Sequence, residues 1–175
     1  MKDAAAGLET GLRAALATAR TREEGIRLAV ETIRGFSPHY HWTGVYLIDG
    51  AELALAHEIG KPTPHRRIPL DSGICGAAAR EGRTIVVDDV NADPRYLACT
   101  LETRSEIVVP LKDGDRVVGE IDIDSDRPAA FTDLDRRALE RAAGILSDFL
   151  SGRAVAMPLH TEIRPRAGAA SRNAS

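Results

Sequence analysis

Two Asp-Gly dipeptides, Asp49-Gly50 and Asp113-Gly114, each lie between two runs of residues that favour β-strands. The first joins TGVYLID to ELALAHE, and the second joins SEIVVPL to VVGEIDID. Asp-Gly between such runs is a strong signal for a tight hairpin, because both residues tolerate the backbone conformation of the turn. Two hairpins predict an antiparallel sheet at the centre of the fold.

Helical patterns lie before, between and after the hairpins. Apolar residues recur at helical spacing over residues 8–34, where Gly25 or the TREE stretch divides the pattern into two helices. SGICGAAAREG predicts a short helix that begins at Ser72 and ends at Gly82. FTDLDRRALERAAGILSDFL predicts an amphipathic helix with Thr132 as its N-cap.

The remaining segments are short strands, loops and a tail. RRIPL and TIVV predict short extended pieces, and NADPRYLACTLET predicts a long polar connection between them and the second hairpin. The terminal helices can pack on one face of the sheet, which gives an α+β domain over residues 1–152. Residues 153–175 lack a periodic pattern and are rich in small and polar residues, so we expect a disordered tail.

Composition and charge exclude several classes of function. The net charge of −3 provides no basic field for nucleic acid. No run reaches the roughly 18 apolar residues of a membrane span, and charges interrupt the N-terminal stretch where a signal peptide would lie. Two cysteines are too few for a secreted disulfide scaffold. We therefore expect a cytoplasmic protein that contacts neither membrane nor nucleic acid.

Acidic residues alternate with isoleucines along VVGEIDIDS. Side chains alternate between the two faces of a strand, so these acids share one face with the acid of SEIV on the neighbouring strand. If the apolar faces pack under helices, the opposite face collects Glu106, Glu120, Asp122 and Asp124. Such carboxyl groups repel one another and raise at least one pKa, which suits a bound amine or an acid that donates a proton. A solvated strand face is the alternative.

The two cysteines differ in their predicted surroundings. Cys75 lies in GICG at a predicted helix start, where the helix dipole favours a thiolate and a lowered pKa. Cys99 lies in the long connection, where no packing pattern requires a cysteine. Simple burial is the alternative for Cys75, because cysteine is among the most buried residue types.

Histidines offer a weaker hypothesis, that of a metal site. The HYH stretch would place His39 and His41 on one strand face, with His57 and His65 further along. No cysteine or acid lies at a recognised ligand spacing from them, and no phosphate-binding or dinucleotide-binding motif is present. We therefore expect no metal and no cofactor.

Several motifs in fixed order resemble those of one known family. WTGVYL, RIPLDSGICGAA, VVDDV, LAC, SEIVVPL and GEIDIDS resemble the free methionine-(R)-sulfoxide reductases, which are GAF domains. The resemblance covers about His41 to Leu150. It implies a central antiparallel sheet with helices on one face and, on the other, a ligand pocket roofed by the long loop.

The resemblance also implies roles for individual residues. The catalytic set would be Cys99, Cys75, Glu106 and Asp124, with Cys99 as the nucleophile. The residues that bind substrate would be Trp42, Tyr46, Asp122, Asp124 and Glu106. The implied reaction is reduction of free L-methionine-(R)-sulfoxide to L-methionine, with thioredoxin as electron donor. The resemblance leaves a homodimer open.

This chain departs from the family pattern at three positions. His65 lies near the place of a further cysteine that precedes the RIP motif in the family, and Thr100 follows the loop cysteine where Asp is common. Glu120 is an additional acid beside DIDS. These differences keep two hypotheses in play: a reductase with two cysteines, and a GAF sensory or binding module without turnover.

We favour the reductase, because two thiols and an acid cluster are present and no segment with the character of an output domain follows the last helix. A cyclic-nucleotide ligand is disfavoured, since its phosphate would face buried carboxylates.

Overall fold

The computed structural model describes residues 2–97 and 100–155. Its helices and strands follow one another along the chain in the order that the sequence patterns predict. In chain order they are α1 (Lys2–Thr18), α2 (Arg22–Arg34), β1 (Trp42–Asp49), β2 (Glu52–Ile59), β3 (Arg67–Pro69), α3 (Gly73–Glu81), β4 (Ile85–Val87), a 3-10 turn (Val90–Ala92), β5 (Ser105–Asp113), β6 (Arg116–Ser125) and α4 (Asp133–Leu150). No helix in these described ranges is both long and apolar enough to cross a bilayer.

The six strands form one antiparallel sheet in the order β3-β2-β1-β6-β5-β4. Both predicted hairpins are present, and Gly50 and Gly114 have φ angles of 62° in their turns. These left-handed conformations explain why glycine follows aspartate at both turns. Because β1 pairs with β6, the two hairpins meet at the centre of the sheet, and the fold is of the α+β class.

The two faces of the sheet are covered by different helices. On one face α1, α2 and α4 enclose the larger apolar core, to which the sheet contributes Ile107, Val109, Leu111, Ile121 and Ile123. On the other face α3 and the loops enclose a second cluster. The terminal helices therefore share one face, as expected, while the short helix α3 joins the loops on the opposite face.

The predicted N-terminal helical region is divided at residues 19–21, so that only Thr21 of the TREE stretch lies in the break, and Gly25 lies inside α2. Thr21 caps α2 by accepting a hydrogen bond from the backbone N–H of Glu24 at 3.1 Å. Gly25 is required for packing, because a Cβ there would lie 2.1 Å from the ring of Phe149. The predicted C-terminal tail, apart from residues 153–155, lies outside the described residues.

Candidate functional site

The register of the central strands brings the acidic side chains to one face of the sheet. Asp122 lies opposite Gly44 of β1 and Val108 of β5. The acids on either side of Asp122 follow the same rule, since neighbouring strands pair residues that point to the same face. The resulting pairs are Trp42–Asp124 and Glu106–Asp124 at one end and Tyr46–Glu120 and Pro110–Glu120 at the other.

These acids are buried, which excludes a solvated strand face. Asp122 is 1% exposed and Glu120 is 0% exposed, and Glu106 and Asp124 are also buried. Burial raises the pKa of all four carboxyl groups, to about 7 for Asp122. The charge of Asp122 raises the pKa values of the other three further.

Several carboxyl oxygens in this cluster lack a partner at good hydrogen-bond geometry in the described part of the chain: both oxygens of Glu120, both oxygens of Asp124 and Oδ1 of Asp122. Weaker interactions with the Cys75 thiol and with Thr103 offset a small part of the rise in pKa of Glu120 and Asp124, respectively. A buried carboxylate without a partner is costly, and it is relieved by a proton, an amine or a metal cation. The cluster is therefore suited to bind a cation or to hold protons near neutral pH.

Cys75 lies above the acids, in the first turn of α3. Its Sγ is 3.4 Å from Oδ2 of Asp122 and 3.9 Å from Oε1 of Glu106. The prediction of a lowered pKa is wrong: burial and the charges of Asp122, Glu120 and Glu106 raise the pKa of the Cys75 thiol. The dipole at the N-terminus of a nine-residue helix does not compensate for burial beside three carboxyl groups.

Aromatic side chains form the side of the site at β1. The Trp42 indole N–H donates to Oε2 of Glu58 at 3.1 Å, and the Tyr46 hydroxyl donates to the backbone oxygen of His65 at 2.8 Å. The Trp42 ring lies across Gly44, where a Cβ would come within 2.2 Å of it. The sequence patterns did not predict that Gly44 makes room for the Trp42 ring or that Glu58 accepts its hydrogen bond. For Gly44 the available signal was a glycine inside a strand, which often marks a close approach.

A loop closes the site. The remaining space is a cavity of about 10 Å³, room for about one water molecule. Leu97 of the long connection covers Gly73, whose φ is +73° and whose Cβ would lie 2.9 Å from the leucine side chain. The cavity is lined by His65, Ile68, Gly73, Ile74, Cys75, Leu97 and Glu106. The proposed nucleophile Cys99 follows closely in the chain but lies outside the described residues.

The histidines do not form the cluster that the sequence suggested. His39 and His41 precede β1 and so do not share a strand face, which corrects the prediction. The Nδ1 of His41 accepts a hydrogen bond from the backbone N–H of Asp126 at 3.0 Å. The residues that the structure does bring together with metal-ligating atoms are Cys75, Glu106 and Asp122, within 4.8 Å of one another.

Comparisons with known proteins agree with this architecture. The family model of the GAF domain matches residues 21–148. The free methionine-R-sulfoxide reductase of Escherichia coli K12 is 33% identical over 111 residues, which are 63% of this chain and 67% of that protein. The Saccharomyces cerevisiae protein of the same name is 37% identical over 111 residues, 61% of each chain.

Solved structures give the same result. The free methionine-R-sulfoxide reductase of Neisseria meningitidis, determined in complex with its substrate, superposes with a TM-score of 0.77 at 34% identity. The superposition covers 84% of this chain and 90% of that one.

Proposed function

Because this chain belongs to the GAF domain family and is an oxidoreductase similar to the free methionine-R-sulfoxide reductases, we propose that it reduces free L-methionine-(R)-sulfoxide to L-methionine by a thiol-dependent reaction. The observation that carries the proposal is the convergence of Cys75 and four buried acids beside Trp42. A free amino acid presents an ammonium group, a polar sulfoxide and a methyl group, and this site offers a complement to each.

The acids are proposed to bind the ammonium group. Asp124 and Glu106 pair across β5 and β6, and Asp122 lies next to Asp124 on the same face. A bound ammonium would provide the hydrogen-bond donors that the unpaired oxygens of Asp122 and Asp124 lack. This arrangement favours the free amino acid over a methionine sulfoxide inside a protein chain, where the nitrogen is an uncharged amide.

The aromatic side is proposed to hold the methyl group. Trp42 and Tyr46 are buried with ring centroids 6.3 Å apart, and both belong to the apolar cluster on this face. Their polar atoms are directed to Glu58 and to the His65 backbone, so a methyl group would contact the rings rather than these polar atoms. Entry of the substrate requires Leu97 and the loop around it to move away, since the closed cavity holds about one water molecule.

The proposed reaction passes two electrons from a thiol to the sulfoxide. The thiolate of Cys99 attacks the sulfoxide sulfur, the oxygen is transferred to Cys99, and a carboxylic acid, Asp124 or Glu106, supplies the proton that the departing oxygen requires. Methionine leaves, and Cys99 remains as a sulfenic acid. The Cys75 thiol then displaces the sulfenic oxygen as water and forms a disulfide, which the dithiol of thioredoxin reduces.

A binding module without turnover is the second candidate. The feature that favours it is His65, which lines the cavity near the place of a cysteine in the family pattern. In such a module the acids would hold an amine, and Cys75 would remain a buried thiol.

One assay separates the two candidates. We expect reduced protein, free methionine-(R)-sulfoxide, thioredoxin, its reductase and NADPH to give substrate-dependent loss of NADPH. The Cys99→Ser variant should lose at least about 99% of this activity but keep ligand binding, because a serine hydroxyl is a poor nucleophile at neutral pH. N-acetyl-methionine sulfoxide, which lacks the ammonium group, is the matched control substrate and should react at least about tenfold more slowly.

Three results would contradict the proposal in different ways. Wild-type protein that binds the sulfoxide without turnover, with its thiols confirmed reduced, would support the binding module. Equal rates with both substrates would remove the ammonium site. Mass spectrometry after turnover without reductant should find a Cys75–Cys99 disulfide, and free thiols at both positions would exclude Cys75 from the resolving step.

A further inference from the structure

We propose that Cys75, Glu106 and Asp122 form a binding site for one thiophilic divalent cation, for which Zn²⁺ is the probe. The three ligands are already buried and close together in the protein without metal. The proposed reaction requires no metal, so this site is a property separate from that reaction. Its consequence is that such a cation and an amine-bearing ligand exclude each other.

The distances between the three ligand atoms match a tetrahedral metal site. With Zn–S of about 2.3 Å and Zn–O of about 2.0 Å, neighbouring sulfur and oxygen ligands lie about 3.5 Å apart. In this structure Sγ of Cys75 is 3.4 Å from Oδ2 of Asp122 and 3.9 Å from Oε1 of Glu106. All three ligand atoms lie within 4.8 Å of one another, so small side-chain adjustments would complete the geometry.

An unpaired buried oxygen is a second indication of a cation. Oδ1 of Asp122, which belongs to a proposed ligand, has no hydrogen-bond partner in the described ranges, and Asp122 is 1% exposed. Three ligands and a neighbouring acid that are buried together carry excess negative charge when they ionise. A divalent cation offsets more of that charge than a single ammonium group does.

The three ligands are fixed by the fold rather than by a flexible loop. Glu106 and Asp122 lie on β5 and β6, which pair along their length, and Cys75 lies in the first turn of α3. The cavity borders Cys75 and Glu106 and has room for about one water molecule, which offers a fourth position for water. A site with three protein ligands and one open position is common for zinc.

The ligand types select among cations. A thiolate with two carboxylates suits Zn²⁺ and Co²⁺, whereas Mg²⁺ and Ca²⁺ prefer oxygen ligands alone. Mg²⁺ at equal concentration is therefore the matched control ion. Because the cation would use Asp122 and Glu106, two of the carboxyl groups proposed to bind the ammonium group, methionine sulfoxide should weaken its binding.

The experiment is a titration of the untagged full chain, stripped of metal and reduced with a phosphine, with Zn²⁺ and in parallel with Co²⁺. We expect one Zn²⁺ per chain, no binding of Mg²⁺, and a near-ultraviolet charge-transfer band from a cobalt–thiolate bond. Cys75→Ser should abolish the band, and Cys75→Ser, Asp122→Asn and Glu106→Gln should each weaken Zn²⁺ binding at least about tenfold. The matched controls, Cys99→Ser and the exposed Asp126→Asn, should retain the cobalt–thiolate band and the affinity for Zn²⁺.

Several outcomes overturn the site. They are absence of stoichiometric Zn²⁺ binding, a cobalt band that persists in Cys75→Ser, and loss of that band in Cys99→Ser alone. Circular dichroism shows whether each variant is folded. If Cys75→Ser does not fold, Zn²⁺ binding by Asp122→Asn and Glu106→Gln decides whether the site exists. The binding test is independent of turnover, so a protein that never reduces the sulfoxide can still bind Zn²⁺, and an active reductase can fail to bind it.

Discussion

The two faces of β5 and β6 are built from alternate residues of the same two strands, of nine and ten residues, and burial affects the two faces differently. On the helical face, Ile107, Val109, Ile121 and Ile123 are buried among apolar side chains of α1, α2 and α4. On the other face, the residues between them include four buried acids. Burial stabilises the first set through the hydrophobic effect. It destabilises the charged form of the second set, whose oxygens are partly unpaired.

The helical face therefore contributes mainly to stability, whereas the acidic face carries the chemistry. The helical face carries the larger of the two apolar cores, and the other face has a second apolar cluster beside its acids. This apolar packing allows the acidic face to tolerate carboxyl groups that stay unsatisfied until a cation binds. Adjacent residues such as Ile123 and Asp124 allow the two faces to be tested on one strand.

The largest expected effect on stability is on the helical face. Ile123→Ala should lower the free energy of unfolding by about 2–5 kcal/mol, because it removes a fully buried side chain and leaves a cavity. Urea denaturation followed by circular dichroism measures the loss. Val86→Ala on the edge strand, where the side chain is 36% exposed, is the control and should change stability by less than about 0.5 kcal/mol. A loss below about 1 kcal/mol for Ile123→Ala would contradict the claim that apolar packing on the helical face stabilises the sheet.

The neighbouring position should respond in the opposite way. Asp124→Asn keeps the shape and removes a buried charge, so we expect stability at pH 7.5 to stay within about 1 kcal/mol of wild type or to rise. Affinity for methionine sulfoxide should fall at least about tenfold, or about 1.4 kcal/mol. Calorimetric titration measures it, with the exposed Asp126→Asn as control. Unchanged affinity would show that the charge of Asp124 does not contribute to binding.

The pH dependence of stability distinguishes the faces without a mutation. The folded pKa values of the four acids are raised, so the folded protein retains protons that the unfolded chain releases. Their contribution to the free energy of unfolding is complete below the ordinary pKa and is lost as the pH rises. For Asp122 the loss falls between pH 3.8 and about pH 7. In chelator, the free energy of unfolding should fall between pH 5 and 7.5 by at least about 1 kcal/mol, since one pKa unit is about 1.4 kcal/mol.

Asp122→Asn removes one of the groups with a raised pKa and should flatten this slope. The exposed acids with lowered pKa values, Asp113 and Glu102, do not reverse it, because their contribution is already complete above their ordinary pKa. Stability that rises from pH 5 to 7.5 would contradict the assignment of raised pKa values to the acidic face.

The smallest expected effects concern the helices that cover the two faces. Thr132 begins α4 with a reciprocal capping box to Asp135, whereas Ser72 begins α3 without a side-chain hydrogen bond to the helix. Thr132→Ala should therefore cost about 1 kcal/mol, and Ser72→Ala less than about 0.5 kcal/mol. Thermal unfolding of the two variants measures the difference. Equal losses would mean that Ser72 stabilises the start of α3 as much as Thr132 stabilises the start of α4.

Much of the fold follows from local sequence signals. The Asp-Gly turns predicted both hairpins, and the alternation of acids and isoleucines predicted the two faces, because successive side chains of a strand point to opposite sides of the sheet. The cap at Thr132 was equally local. The GAF fold itself came from motifs rather than from periodicity.

The parts that sequence could not provide depend on distant residues. The pKa of Cys75 was expected to fall because the helix dipole is local, but the carboxyl groups that raise it come from β5 and β6. Gly44 also gains its meaning only from the Trp42 ring that lies across it. The roles of Cys99, Glu106 and Asp124 in turnover remain predictions for the assays above.

The order of strands has a consequence for contacts between molecules. The two outer strands, β3 and β4, have three residues each, and β3 includes Pro69 and Arg67, which pairs with Asp49 and Glu52. These short outer strands themselves give another chain few free backbone groups to pair with, and the proline and charges of β3 discourage pairing further. At β3 and β4 the sheet is therefore a poor template for the stacking of strands that leads to aggregation.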